Sequence, residues 1–133
     1  MEKEFIPYEL ALRMKQLGFD IPTFGYYQST RLKLQFPLLK SETQTQTYMR
    51  KEDCSAPTFQ QAFRWFREKY GLYSYLSPKL SYPDDTITGK YYINILCNKF
   101  DYDVDNDGVY LYEEAELACL EKLIEIVEQS KSE

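Results

Sequence analysis

The sequence predicts an α+β fold of order α-ββ-α-ββ-α, with an antiparallel sheet of about four strands and its helices packed on one face. Three observations lead there. Three segments place apolar residues at helical spacing between recognisable end signals. Two pairs of strand-like runs are each joined by turn-forming residues and read as hairpins. The most regular segment, 57–72, carries an aromatic stripe whose bulk requires a sheet to cover it. At 133 residues the chain reads as one domain, 1–133, able to bury roughly two-thirds of its unfolded surface without staples.

Residues 1–4 are charged and are expected to fray, as are 130–133. Pro7 suits a helix start, and Leu10, Met14 and Leu17 share one helical face. Gly18 ends that helix, with Phe19 placed to fold back on Met14. Thr23 to Gln28 and Arg31 to Phe36 read as a hairpin around Ser29 and Thr30; Leu32, Leu34 and Phe36 alternate with Arg31, Lys33 and Gln35. Residues 40–55 are polar, and their T-Q-T-Q-T run reads either as an edge strand or as a loop.

In the central helix, Thr58 and Gln61 have the spacing of a capping box. Phe59, Ala62, Phe63, Phe66 and Tyr70 make its stripe, and Gly71 its stop. Leu72 to Leu76 resumes as strand and stops at Pro78, and 79–89 is rich in turn residues. Lys90 to Cys97 is the strongest strand, with Ile93 and Ile95 on one face and Tyr92, Asn94 and Leu96 on the other. The last helix runs from Tyr112 to about Gln129, with Glu113 and Glu114 in a first turn that favours carboxylates.

Composition excludes several functions. A net charge of −5 and a pI near 4.9 provide no basic footprint for nucleic acid phosphates and disfavour anionic membranes. The absence of histidine removes Ser-His and Cys-His pairs, histidine bases and His-ligated metals. Cys54, Cys97 and Cys119 form no C-x-x-C, so they read as free buried thiols in a reducing cytoplasm. No signal core or membrane-length apolar run occurs. Enzymatic use would fall to carboxylates such as Asp84 and Asp85, or to Cys54, whose place before the central helix would lower its pKa. With no partner base for either, a non-enzyme is expected.

The content of 13 Tyr and 8 Phe is high, and tyrosine suits surfaces that are half wet. Trp65 lies off the stripe of the central helix beside Arg64 and Arg67, so it is either covered by another element or exposed as an anchor. With Arg64, Tyr26 and Tyr92 it makes the candidate interaction surface. Asp103, Asp105, Asp107, Gly108 and Glu114 fit the calcium-loop pattern D-x-D-x-D-G-x5-E, with the Val109 carbonyl as backbone ligand. Against calcium, the preceding residues read as strand and only one such loop exists, so an acidic turn before a helix competes with it.

The run Gln61 to Leu72 after Ala56-Pro57-Thr58, and the run Tyr112 to Leu120 with Lys122 to Val127, resemble an uncharacterised family of small proteins from gut bacteria, their phages and mobile elements. Phe5 to Ala11, Leu17 to Asp20 and Phe24 to Tyr27 fit the same pattern, which together covers about half the chain. The family carries no assigned activity, so the resemblance transfers no catalytic residue. It implies an accessory protein acting in the cytoplasm of the infected cell.

The leading expectation is therefore a non-enzymatic binding module holding a protein or small ligand. A calcium-stabilised domain built on 103–114 is the first alternative, and a small enzyme the second. A homodimer through an exposed edge strand or through the tyrosine face is also open.

Overall fold

The structure is a computed structural model that describes residues 2–34, 50–97, 101–102 and 110–131. The chain forms two compact units, Met1–Ala62 with Val127–Glu133, and Phe63–Ile126. The α+β class is as the sequence predicts, and the order roughly matches, with a third strand added before the central helix and another before the last helix.

In the first unit, helix α1 spans Tyr8–Gln16 and buries Leu10, Ala11 and Met14. Its end is a complete Schellman close. Gly18 takes φ 99°, its N–H donates to the Lys15 carbonyl at 3.0 Å, and the Phe19 N–H donates to the Met14 carbonyl at 3.0 Å. Phe19 and Met14 are both buried. Strands β1 (Gly25–Gln28), β2 (Arg31–Leu34) and β3 (Cys54–Ala56) form a sheet of order β2-β1-β3, antiparallel throughout. All three residues of β3 are buried, and α1 packs along it. Gly25 is required by proximity: a Cβ there would stand 3.0 Å from the Phe5 ring.

Two further sets of contacts fix this unit. The Lys15 ammonium donates to three backbone carbonyls, those of Arg50 (2.9 Å), Lys51 (3.3 Å) and Asp53 (2.7 Å), which pins the chain where it enters β3. Helix α3 (Tyr112–Lys131) brings its last turn to α1. There Glu128 accepts both guanidinium bonds of Arg13, at 2.5 and 3.1 Å, and Lys131 Nζ donates to the Leu17 carbonyl at 3.1 Å.

Helix α2 spans Phe59–Tyr70. Its capping box is closed in both directions: the Gln61 N–H donates to Thr58 Oγ1 at 3.2 Å, and the Thr58 N–H to Gln61 Oε1 at 3.0 Å. Gly71, at φ 67°, closes the other end with its N–H on the Arg67 carbonyl at 3.1 Å.

In the second unit, β4 (Tyr73–Ser81), β5 (Thr86–Leu96) and β6 (Asp101–Tyr102) form an antiparallel sheet of order β4-β5-β6. Ser74, Leu76, Ile93 and Ile95 pair on one face, where Ile93 and Ile95 are buried. Helix α3 meets that face: its first residue, Tyr112, stands edge-on to Tyr91 with ring centroids 5.1 Å apart, and Tyr91 shares the side of Ile93 and Ile95.

Three features differ from the sequence reading. The strands divide between two three-stranded sheets rather than one of about four, because β3 takes the free edge of β1. Its C-S-A run is too short, and too poor in branched residues, to register as strand. Strand β4 continues through Pro78, which an edge strand tolerates because its outer side needs no N–H. Gly89, at φ 82°, belongs to no turn; it lies inside β5, where Thr88, Gly89 and Lys90 bulge opposite Lys79 between the Pro78–Tyr91 and Leu80–Ile87 pairs. The turn itself tightens to Tyr82–Asp85. The T-Q-T-Q-T run, Gln35 and Phe36 lie outside the described residues.

Candidate binding face

The strand pleat decides which tyrosines share a surface. Residues directly opposite in an antiparallel pair share a face, and the face alternates at every residue. The pairs Tyr73–Leu96, Tyr75–Asn94 and Ser77–Tyr92 therefore lie opposite the buried Ile93–Ile95 side. Tyr73 and Tyr75 are about half in water, Tyr75 at 52%. Tyr92 is half-buried beside them. Asn94 is held between the strands: its Nδ2 donates to Ser77 Oγ at 3.1 Å and to the Tyr75 carbonyl at 3.3 Å. The result is a flat wall of rings with a fixed amide among them, suited to stacking and hydrogen bonding rather than to bond breaking.

Of the residues expected at an interaction surface, Tyr92 stands on this wall and the others do not join it by any described contact. Tyr26 belongs to the first unit, half-buried in β1 opposite Lys33 and Ser55. Arg64 is exposed on α2 and bonds Glu68 at 2.9 Å, one helical turn away. That bond holds the Glu68 carboxyl below its usual range. Of its two readings Trp65 takes the covered one, and so leaves the candidate interaction surface: it is 6% exposed. Its ring meets Phe66 and Tyr70 edge-on at 5.0 and 5.3 Å, and the Lys69 ammonium lies 5.1 Å from its centroid. The apolar arc of α2 runs from Trp65 through Ala62 and Phe66 to Phe63, about 160° at 100° per residue. It is wider than the stripe read from Phe59, Ala62, Phe63, Phe66 and Tyr70.

The wall could have been found in the sequence. The run L-Y-S-Y-L, once read as strand, places Tyr73 and Tyr75 two residues apart and so on one face. What the run does not carry is which face the helix covers.

The chemical alternatives are placed as follows. Asp103, Asp105, Asp107, Gly108 and Val109 lie outside the described residues. The chain reaches them from strand β6, as the sequence predicts, and not from a helix. Glu114 is the third residue of α3, and its Oε1 accepts the Leu111 N–H at 3.0 Å, the return half of a capping box. Among the described residues no group of three Asp, Glu, Cys or His side chains is placed to hold a metal. Cys54 is buried, as expected of an incidental thiol, and does not take the lowered pKa that its place before α2 would allow. Burial pushes its thiol up to about 12, against the opposing pull of Lys15, so it stays protonated near neutrality. Asp84 and Asp85 occupy the exposed turn between β4 and β5. Among the described residues no helix is long and apolar enough to cross a membrane.

Comparison with protein-family models, with curated proteins and with solved structures finds no match.

Proposed function

We propose that the chain is a non-enzymatic binding module whose ligand face is the wall of Tyr73, Tyr75, Tyr92 and Asn94. The observation that carries this reading is that Tyr73 and Tyr75 of β4 stand about half in water on one face of the sheet, beside half-buried Tyr92, while Ile93 and Ile95 of β5 take the core on the other. Half-exposed rings on a rigid sheet offer contact area at low entropic cost. An acidic chain with such a wall fits a protein or a flat small ligand without phosphate recognition. On the resemblance to proteins of phages and mobile elements, its setting is the cytoplasm of the host, where it occupies a host protein or withholds a small ligand.

The test is native mass spectrometry of the purified chain, with and without added calcium, beside the Tyr73→Ser/Tyr75→Ser variant. A retained mass in the wild type that the variant lacks supports a small-ligand wall. A clean apo mass removes the small-ligand form and leaves a protein partner, which must then bind the wild type and not the variant in pull-downs. A mass gain matching calcium, abolished by Asp103→Asn/Glu114→Gln, moves the function to the acidic segment instead.

A further inference from the structure

The register of the second sheet fixes which backbone groups of β4 face away from it. Opposed residues in an antiparallel pair alternate between those that bond each other and those whose N–H and C=O point outward. Tyr91 sets the phase. Its N–H donates to the Tyr110 carbonyl at 2.8 Å, on the side away from β4, so Tyr91 and Pro78 are an outward pair. Counting back by twos, Leu76 and Ser74 point both N–H and C=O off the outer edge of β4, and Pro78 points its carbonyl there. Among the described residues no strand pairs with this edge, and no backbone group across it bonds Ser74 or Leu76.

The edge is guarded at one end only. Toward the hairpin tip Pro78 lacks a donor and Lys79 adds a charge, both of which discourage pairing. From 73 to 77 there is neither proline nor charge. Tyr73 and Tyr75 alternate with the outward backbone groups and stand about half in water on the wall face. The two strands hold Lys79 and Lys90 and no carboxylate, in a chain of net charge −5. Lys79 follows Pro78 and Lys90 precedes Tyr91, so both lie on the face of the wall. Lys79 is already engaged within the chain. Lys90 is exposed, and among the described residues its ammonium has no partner. Asp84 and Asp85 lie farther out, in the turn.

We propose that the open stretch 73–77 takes up an extended acidic peptide as a further strand. The peptide backbone bonds Ser74 and Leu76, alternate side chains lie over the tyrosine wall, and a carboxylate reaches toward Lys90. The proposal rests on the wall reading and names the partner the wall would hold. Donor and acceptor recur along the edge at every second residue, about 6.8 Å apart, which is the period of an extended main chain. Lys90 selects the sign of the partner. A second copy fits worse. Its β4 brings the same Lys79 and no carboxylate. If two β4 strands paired antiparallel with Ser74 opposite Leu76, Pro78 would face Leu72, whose N–H is already donated to the Phe66 carbonyl at 3.2 Å. If Ser74 instead faced Pro78, the Ser74 carbonyl would meet a nitrogen without hydrogen.

Selection of phage-displayed random linear peptides, about ten residues long, against the immobilised full chain tests it. The expected binders are acidic, with aromatic or apolar residues at alternate positions, and their affinity falls at least about tenfold in Leu76→Pro and in Lys90→Glu. Leu76→Pro removes an outward N–H and leaves the β4–β5 ladder whole, as Pro78 already does, and circular dichroism checks that it folds. Because that variant also loses a half-buried side chain, the deciding measurement alters the peptide alone. N-methylation of alternate peptide amides should abolish binding in the phase that faces β4 and spare it in the other. Equal tolerance of both phases, selection of basic peptides, or no binder at all overturns the proposal. A binder indifferent to the phase but lost on Tyr73→Ser/Tyr75→Ser overturns the edge and keeps the wall. A dimer in sedimentation velocity that Leu76→Pro dissolves gives the edge to a second copy and overturns the proposal as well.

Discussion

Lys15 offers the sharpest test of how the first unit is held. Lys15→Met keeps most of the apolar stem and removes the ammonium that joins the carbonyls of Arg50, Lys51 and Asp53. A hydrogen bond to a charged group contributes about 1.5–3 kcal/mol where it is shielded. The bonds to Arg50 and Lys51 are exposed, so water replaces them at little cost; the bond to Asp53 is part-buried and carries most of the loss. The expected destabilisation is about 2 kcal/mol. For a chain of this length that corresponds to roughly 6–8 °C in Tm. Urea unfolding followed by far-UV circular dichroism measures it, with the midpoint falling and the slope unchanged. Lys122→Met removes the same unit of charge from a 3.9 Å surface pair and serves as control, with an expected cost below about 0.5 kcal/mol. If Lys15→Met costs no more than Lys122→Met, the ammonium does not pin the entry to β3, and the reasoning from these three bonds fails.

Other expectations follow from the same geometry. Thr58→Ala opens the capping box of α2 and should cost about 1 kcal/mol in a thermal melt; an unchanged Tm would mean that packing alone sets this helix start. Trp65 should emit at short wavelength and resist iodide quenching until the chain unfolds, and a red, freely quenched native spectrum would return it to the surface. Burial pushes the Cys119 thiol up to about 11, as it pushes Cys54 to about 12, so at pH 8 no more than one of the three thiols should react with Ellman's reagent in the native chain, against all three when unfolded. Both shifts are upward from an ordinary value of 9.0. The unfolded chain therefore loses these protons first, and the stability held below pH 9 should drain away between about pH 9 and 12. Glu128 has the opposite sign: its bond to Arg13 lowers its pKa, so its contribution is present above the ordinary carboxylate range and lost on acidification. Arg13→Met should flatten that acid limb of the stability–pH curve, and an identical limb in the variant would assign it elsewhere.

The legible parts of this fold were those that local chemistry determines. The Thr58–Gln61 reciprocity, the Gly18–Phe19 close and the alternation of Ile93 and Ile95 each depend on residues within six positions of one another. The illegible parts depend on distant partners. Trp65 is a separate case: the partners described for it, Phe66, Lys69 and Tyr70, lie within five positions of it on α2, yet helical spacing alone does not reveal that its side of the helix is covered. Strand β3 exists because β1 offers an edge and α1 a cover, not because C-S-A favours extension. Strand β4 survives Pro78 only because it is an edge. The binding wall was half legible: the period of two puts Tyr73 with Tyr75, but which face remains wet is decided by α3.

The attachment of the last turn of α3 to α1 has a consequence for biosynthesis. Glu128 and Lys131 meet Arg13 and Leu17 across more than a hundred positions of sequence. A ribosome delivers the chain from N-terminus to C-terminus, so α1 emerges and waits for partners that are translated more than a hundred residues later. The stretch Phe63–Ile126 is continuous and can close by itself during synthesis, whereas the unit that encloses it in sequence cannot finish until the residues from Val127 onward have been made. A chain truncated after Ile126 should thus display a settled middle and an incomplete beginning, the reverse of the order in which its residues were made.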